Sequence, residues 1–199
     1  MPKDFMSAVQ DRRTIYGISP ESTISYDRLK EVIDHAVKYT PSAFNSQTAK
    51  VVILLGEHHD KLWNITKAKL KKIVPESNFP ATETKINSFK NGFGTIMYFE
   101  DQAGIQAMQQ QFPTYADNFP LWSLQSSGML QYVIWTALEI EGLGASLQHY
   151  NPLIDDDVRQ EWNIPASWKL IAAMPFGTPT VMPDEKEFKP LEERVLVFK

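Results

Sequence analysis

Three short stretches carry side chains whose types and spacing could do chemistry. Arg12-Arg13-Thr14 closes a short predicted helix and presents two guanidinium forks beside a hydroxyl. Such a trio suits a phosphate-like anion, yet arginines in a last turn equally complement a helix dipole. Ser42, Asn45 and Gln47 lie in Pro41-Ser42-Ala43-Phe44-Asn45-Ser46-Gln47, just ahead of an apolar run. Their amides could read the donor–acceptor edge of a heterocycle, or they could simply cap and turn the chain. Gly142-Leu143-Gly144-Ala145-Ser146 is small and glycine-punctuated, and Leu147-Gln148-His149-Tyr150 follows as a short extended run. Small residues there admit a second backbone or a flat ligand at close range.

Other chemistries find no support. The chain has no cysteine, hence no disulfide, no thiolate nucleophile and no cysteine metal site; redox chemistry would have to come from a bound cofactor. His58 and His59 are adjacent and cannot share one metal from a helix, where spacings of three or four are needed. Asp155-Asp156-Asp157 reads as the acidic start of a helix. No metal site is assigned. There is no G-x-G-x-x-G after a strand, no P-loop and no G-x-S-x-G. A net charge of −4 gives no footprint for nucleic acid or an anionic membrane. The first residues lack the apolar stretch of a signal peptide, so a cytoplasmic protein is expected. At 199 residues one domain over 1–199 is expected.

Positioning those stretches falls to an interleaved set of elements. Helices are predicted over Asp4–Arg13, Tyr26–Tyr39 (capped by Ser25), His58–Val74, Ala81–Asn91, Ile105–Phe112 and Ile154–Trp162. Strands are predicted at Val51–Leu55, covered on both faces, at Thr95–Phe99, at Trp168–Met174 (closed by Pro175-Phe176-Gly177) and at Val195–Phe198. Within His58–Val74 the apolar Leu62, Ile65, Leu70 and Ile73 are expected inward, with five lysines on a solvated face. The terminal strand, reached by a proline-rich arm, needs a sheet edge of its own or of a partner.

The dominant element is the helix inside Asn118–Pro152, with Ser123 as the expected N-cap and Gly142 just past its end. Leu124, Met129, Leu130, Val133, Ile134, Trp135, Ala137, Leu138 and Ile140 are too dense for one stripe, so burial on several faces is required. Gln125, Ser126, Ser127 and Gln131 argue against a membrane span. A core helix of a monomer and a core helix that also forms a dimer seam both satisfy this pattern. The tally is an α/β or α+β layered domain.

Together, the order and separation of Arg12-Arg13-Thr14, Pro41–Gln47 and Gly142–Ser146 resemble the nitroreductase family of FMN-dependent flavoproteins. Tyr115-Ala116-Asp117-Asn118-Phe119-Pro120, Leu147–Pro152 and Met174-Pro175-Phe176-Gly177 are similar to a compact subgroup of fungal and lactic-acid-bacterial nitroreductases. The resemblance implies an α+β three-layer sandwich, a mostly antiparallel sheet flanked by helices. It implies an intertwined homodimer, with the long helix in the seam, the C-terminal arm crossing over and FMN touched by both chains. By the same resemblance, Arg12 and Thr14 would hold the phosphate and ribityl chain, and Arg13 would lie beside the flavin. Asn45, with Ser42 and Gln47, would bond the ring; Leu147, Gln148 and His149 would line its far face; Arg194 would be a phosphate-binding arginine of the tail. The chain departs from many members in having Thr48-Ala49 where they have Pro-Trp, and Glu192 in place of a second basic residue.

The implied activity is an NADH- or NADPH-dependent reduction of small flat acceptors, nitroaromatic or quinone-like, by a ping-pong mechanism. The alternative is a flavin-binding stress or sensing protein with little turnover.

Overall fold

The computed structural model describes residues 3–199. Its centre is strand β3 (Gly94–Asp101), buried along nearly its whole length because both faces and both edges are covered. On one edge it pairs with β2 (Ala49–Leu55), on the other with β5 (Trp168–Val181), both antiparallel. Strand β1 (Gly17–Ser19) joins the far end of β5, and the two-residue β4 (Gly144–Ala145) also pairs with β5. The order is β1-β5-β3-β2, with β4 beside β5.

The pleat sends successive side chains to opposite faces. Ile96 and Tyr98 of β3 enter one core with Leu29, Ile33, Leu130, Ile134 and Leu138. These come from helices α2 (Tyr26–Tyr39) and α6 (Phe119–Ile140). Met97 and Phe99 enter the other core with Leu62, Trp63, Ile86, Phe89 and Val158. Those belong to α3 (Glu57–Lys71), α4 (Phe79–Lys90) and α7 (Asp155–Glu161). The result is the expected α+β sandwich, helices on both faces of an antiparallel sheet. Each fully buried large side chain, Trp63, Phe89 or Phe176 for instance, contributes about 1.5–3 kcal/mol of transfer free energy. The remaining helices are α1 (Phe5–Asp11) and α5 (Gln102–Gln111).

Several expectations are corrected. Ser123 does not cap α6. The helix begins four residues earlier at Phe119-Pro120, where a first-turn proline loses no helical hydrogen bond, and Ser123 is buried inside it. Val51–Leu55 is only half-buried for the most part, since β2 is the last strand of the sheet. Ile73 is exposed, lying beyond the end of α3. Strand β5 does not stop at Pro175-Phe176-Gly177 but runs on to Val181. A Cβ on Gly177 would stand 2.2 Å from the Ser19 carbonyl oxygen, so this glycine is what lets β1 approach and the ladder continue. Val195–Phe198 forms no strand; its side chains are exposed, and neither end strand of the sheet, β1 or β2, receives them.

Helix α6, 22 residues long, spans about 33 Å. One side, Leu130, Ile134 and Leu138, is buried. The other keeps Leu121, Leu124, Met129, Val133 and Ile140 between 41% and 56% exposed, a row of large apolar side chains left uncovered among the described residues. Among the described residues no helix is long and apolar enough to cross a membrane.

Candidate functional site

Helix α1 is pinned at its start by Asp4, whose carboxylate accepts from the Met6 and Ser7 amides at 3.0 and 3.2 Å. Ala8 docks it against the core. Arg12 is the residue that ends it, its N–H bonded to the Ala8 carbonyl at 3.0 Å. The Arg12 guanidinium carbon lies 4.4 Å from the centroid of the Trp135 ring and 5.7 Å from that of Tyr132. Its Nε is buried without an acceptor. A half-buried guanidinium held over aromatic faces, with its Nε donor unspent, could take up an anion. Arg13 donates from Nη2 to the Asp184 carbonyl at 2.7 Å. Thr14 bridges Ala145 in parallel, and the Ile15 amide donates to the Ala145 carbonyl at 3.0 Å. The arginine–threonine segment is thus laid directly on the small-residue stretch. Arg12 and Arg13 line a cleft of about 990 Å3, closed by Tyr132 and Glu139 of α6 and by tail residues Met182 to Phe188.

The Ser42–Gln47 loop follows α2. Phe44, Asn45 and Gln47 have φ of 54°, 53° and 49°, left-handed values that cost a bulky residue the most. The loop is cross-braced: the Gln47 amide donates to Ser42 Oγ at 3.0 Å, and Gln47 Nε2 to the Asn45 carbonyl at 3.4 Å. Ser42 and Gln47 line a second cleft, of about 510 Å3, with Lys50, Ser126, Leu130 and Trp168. Phe44 is held by an aromatic group missed in the sequence: its ring centroid is 4.7 Å from Phe112, 5.7 Å from Tyr115, 5.5 Å from Phe119 and 6.0 Å from Trp122. The aromatic density of Phe112–Trp122 was the available signal.

Gln148 is buried and exchanges both backbone hydrogen bonds with Ala173, at 2.8 and 2.9 Å; its Nε2 donates to Ser146 Oγ at 3.0 Å. Leu147 packs half-buried on the first core and His149 is exposed. Arg194 is exposed beyond the tail segment that reaches the Arg12 cleft.

The structure therefore brings Arg12, Arg13 and Thr14 together with the stretch leading to Leu147–His149. It does not bring Ser42, Asn45 and Gln47 to them. The two clefts share no lining residue: one meets α6 at Ser126 and Leu130, the other at Tyr132 and Glu139, and Leu130 and Tyr132, two residues apart, project about 200° apart around the helix. Among the described residues no group of three or more His, Asp or Glu is placed to hold a metal.

A layered antiparallel sheet with a candidate anion cradle and an amide-bearing loop belongs to the class of proteins that could hold an anionic heterocycle. More particularly, the chain belongs to the nitroreductase family, whose model matches residues 9–178, and this makes it an oxidoreductase. Nitroreductase FRM2 of Saccharomyces cerevisiae is 33% identical over 190 residues, covering 93% of each chain. Nitroreductase CinD of Lactococcus lactis is 45% identical with a TM-score of 0.91, covering 98% of this chain and all of that one; it has been solved with nicotinic acid and with 4-nitrophenol. A protein of Exiguobacterium sibiricum solved with FMN shares the fold at 14% identity, with a TM-score of 0.71 over 98% of both chains. FMN is the family's cofactor. The buried Arg12 Nε, without an acceptor, would suit its phosphate, and the side chains of Ser42, Asn45 and Gln47 would suit its ring edge.

Proposed function

We propose that two copies of this chain form a homodimer that binds FMN between them and uses NADH or NADPH to reduce nitroaromatic or quinone-like acceptors. The carrying observation is the separation of the two clefts, with the uncovered apolar face of α6 on the same helix. A second copy could cover that face and supply the missing half of each site. Each FMN would then take Arg12, Arg13 and Thr14 from one chain and the Ser42–Gln47 loop from the other. The whole of 1–199 is read as one such FMN-binding domain, in a cytoplasmic enzyme.

The chemistry of such a site is that of bound FMN, hydride uptake from a reduced nicotinamide and electron delivery to a flat acceptor. The chain's own groups bind and orient. Arg12 would neutralise the phosphate, each charge-assisted bond contributing about 1.5–3 kcal/mol, with Thr14 beside it and Arg194 arriving on the partner's tail. Arg13 would place a positive charge near the ring. Asn45, with Ser42 and Gln47, would hydrogen-bond the ring edge, and the backbone of Leu147, Gln148 and His149 would back its far face. The aromatic group around Phe44 would exclude water and offer a flat wall to a flat acceptor. Donor and acceptor would use one pocket in turn, which predicts ping-pong kinetics.

The test is the visible spectrum of the purified protein with FMN, followed by reduced-nicotinamide oxidation with 4-nitrophenol or a quinone. A flavin spectrum and parallel double-reciprocal lines are expected. Bound flavin without turnover would leave a stress or sensing protein, and no bound flavin would end the reading.

A further inference from the structure

At the end of β3 a carboxyl group is buried with no cation bonded to it. Glu100 is 0% exposed; its Oε2 accepts from Thr48 Oγ1 at 2.7 Å and from Ser123 Oγ at 2.6 Å, while Oε1 is buried without a partner. A half-satisfied buried carboxyl is costly. What it does is visible in the elements it joins. Thr48 immediately follows the Ser42–Gln47 loop, Ser123 lies on α6 and Glu100 on β3. The loop's hydrogen bonds, Gln47 to Ser42 and to Asn45, Asn45 to Ser42 and Ser46 to Ala43, close upon the loop itself, while the Gln47 carbonyl accepts an exposed hydrogen bond from Lys50 Nζ at 3.1 Å. Left-handed residues such as Phe44, Asn45 and Gln47 persist only where their surroundings over-determine them. At Thr48 that is done by the Asp101 amide, which donates to its carbonyl at 2.9 Å, and by the Glu100 carboxyl. Burial pushes the Glu100 carboxyl above its ordinary range, and the Ser123 and Thr48 hydroxyls offset this only in part. Protonated on Oε1, the group still offers Oε2 to both hydroxyls.

We infer that Glu100 is a positioning residue of the flavin site: through Thr48 and Ser123 its carboxyl locks the Ser42–Gln47 loop against α6. The inference rests on the reading of that loop as a flavin contact.

Three variants test it: Glu100→Gln keeps an acceptor oxygen at constant shape, Glu100→Leu removes it, and Thr48→Val cuts one arm. For each, the FMN dissociation constant, the visible circular dichroism of bound flavin, and KM against kcat for the acceptor are measured. Glu100→Leu and Thr48→Val are expected to weaken FMN binding about tenfold, or 1.4 kcal/mol, to change the visible dichroism and to raise KM. Glu100→Gln is expected to restore the parent's values. A lowered melting temperature with dissociation constant, dichroism and KM all unchanged would make Glu100 a fold residue only and overturn the inference. If Glu100→Leu does not fold, Thr48→Val decides by the same criteria. Asn45→Gly is run beside them. If it too leaves dichroism and kinetics unchanged, the loop is not at the flavin and the functional reading falls with the inference. If it changes them while Thr48→Val does not, the inference alone falls.

Discussion

The guanidinium of Arg12 rests on the ring of Trp135, 4.4 Å from carbon to centroid, so the end of the first helix is fixed by the longest one. Arg12→Ala is expected to weaken FMN binding by about 1.5–3 kcal/mol, or roughly 10- to 150-fold. Trp135→Leu leaves the charge but loosens its support, at about 0.5–1 kcal/mol. Fluorescence titration of FMN measures both. Equal losses in the two variants would mean that Trp135, not the charge, dominates the cradle.

Asn45 has φ of 53°, a conformation glycine adopts freely. Asn45→Gly therefore removes the amide while sparing the backbone. FMN retention is expected to hold and kcat/KM to fall by about tenfold, the loss of a hydrogen bond of roughly 1.4 kcal/mol. Asn45→Ala adds backbone strain and is expected to lower the melting temperature as well. Steady-state kinetics and a thermal melt separate the two effects.

His59 is buried on α3, its ring nitrogens 2.8 Å from Thr95 Oγ1 and 3.0 Å from the Lys90 carbonyl. Burial pushes its pKa below the ordinary value of 6.5, so the folded protein holds it neutral. Its contribution is fully present above pH 6.5, where both states are neutral. It is lost as pH falls, because the unfolded chain then binds a proton that the folded chain refuses. Glu100, shifted upward by burial, acts in the opposite sense: its contribution is present below 4.5 and lost as pH rises through its raised value. Between pH 7 and 5 the melting temperature of the parent is expected to fall relative to that of His59→Gln, since the variant lacks the imidazole that loses its contribution. Identical slopes would exclude His59 as the source.

The uncovered row on α6 predicts that Leu124→Glu or Val133→Asp yields a monomer by analytical ultracentrifugation. Burying such a charge in an apolar seam costs several kcal/mol. Flavin is expected to be lost along with the dimer.

How much of this was legible in the sequence varies by element, for physical reasons. Thr95–Phe99 and the apolar periodicity of Tyr26–Tyr39 report burial directly, and both elements are where the pattern puts them. Gly17–Ser19 was invisible because a three-residue strand has no period, and its place depends on the bare approach at Gly177. Ser123 looked like a cap because a hydroxyl before an apolar run usually is one; here it bonds a buried carboxyl 23 residues away in sequence. Arg12, Arg13 and Thr14 are marked by residue type; the structure lays Thr14 on Ala145 and places Arg12 and Arg13 in one cleft. That the Ser42–Gln47 loop lies in a different cleft is a matter of topology, which local spacing does not carry. Arg194 is exposed, on the part of the tail beyond the segment that lines the Arg12 cleft.

A mixed dimer puts the two-chain site to its most direct trial. Arg12→Ala and Asn45→Ala chains are co-expressed with different tags, and the heterodimer is isolated and assayed for FMN-dependent reduction of 4-nitrophenol. If each site takes Arg12 from one chain and Asn45 from the other, one site carries both defects and the other is intact. Activity should then return to about half that of the parent, far above either variant alone, as two-fold symmetry requires. A heterodimer no more active than the variants from which it is made would contradict the shared site.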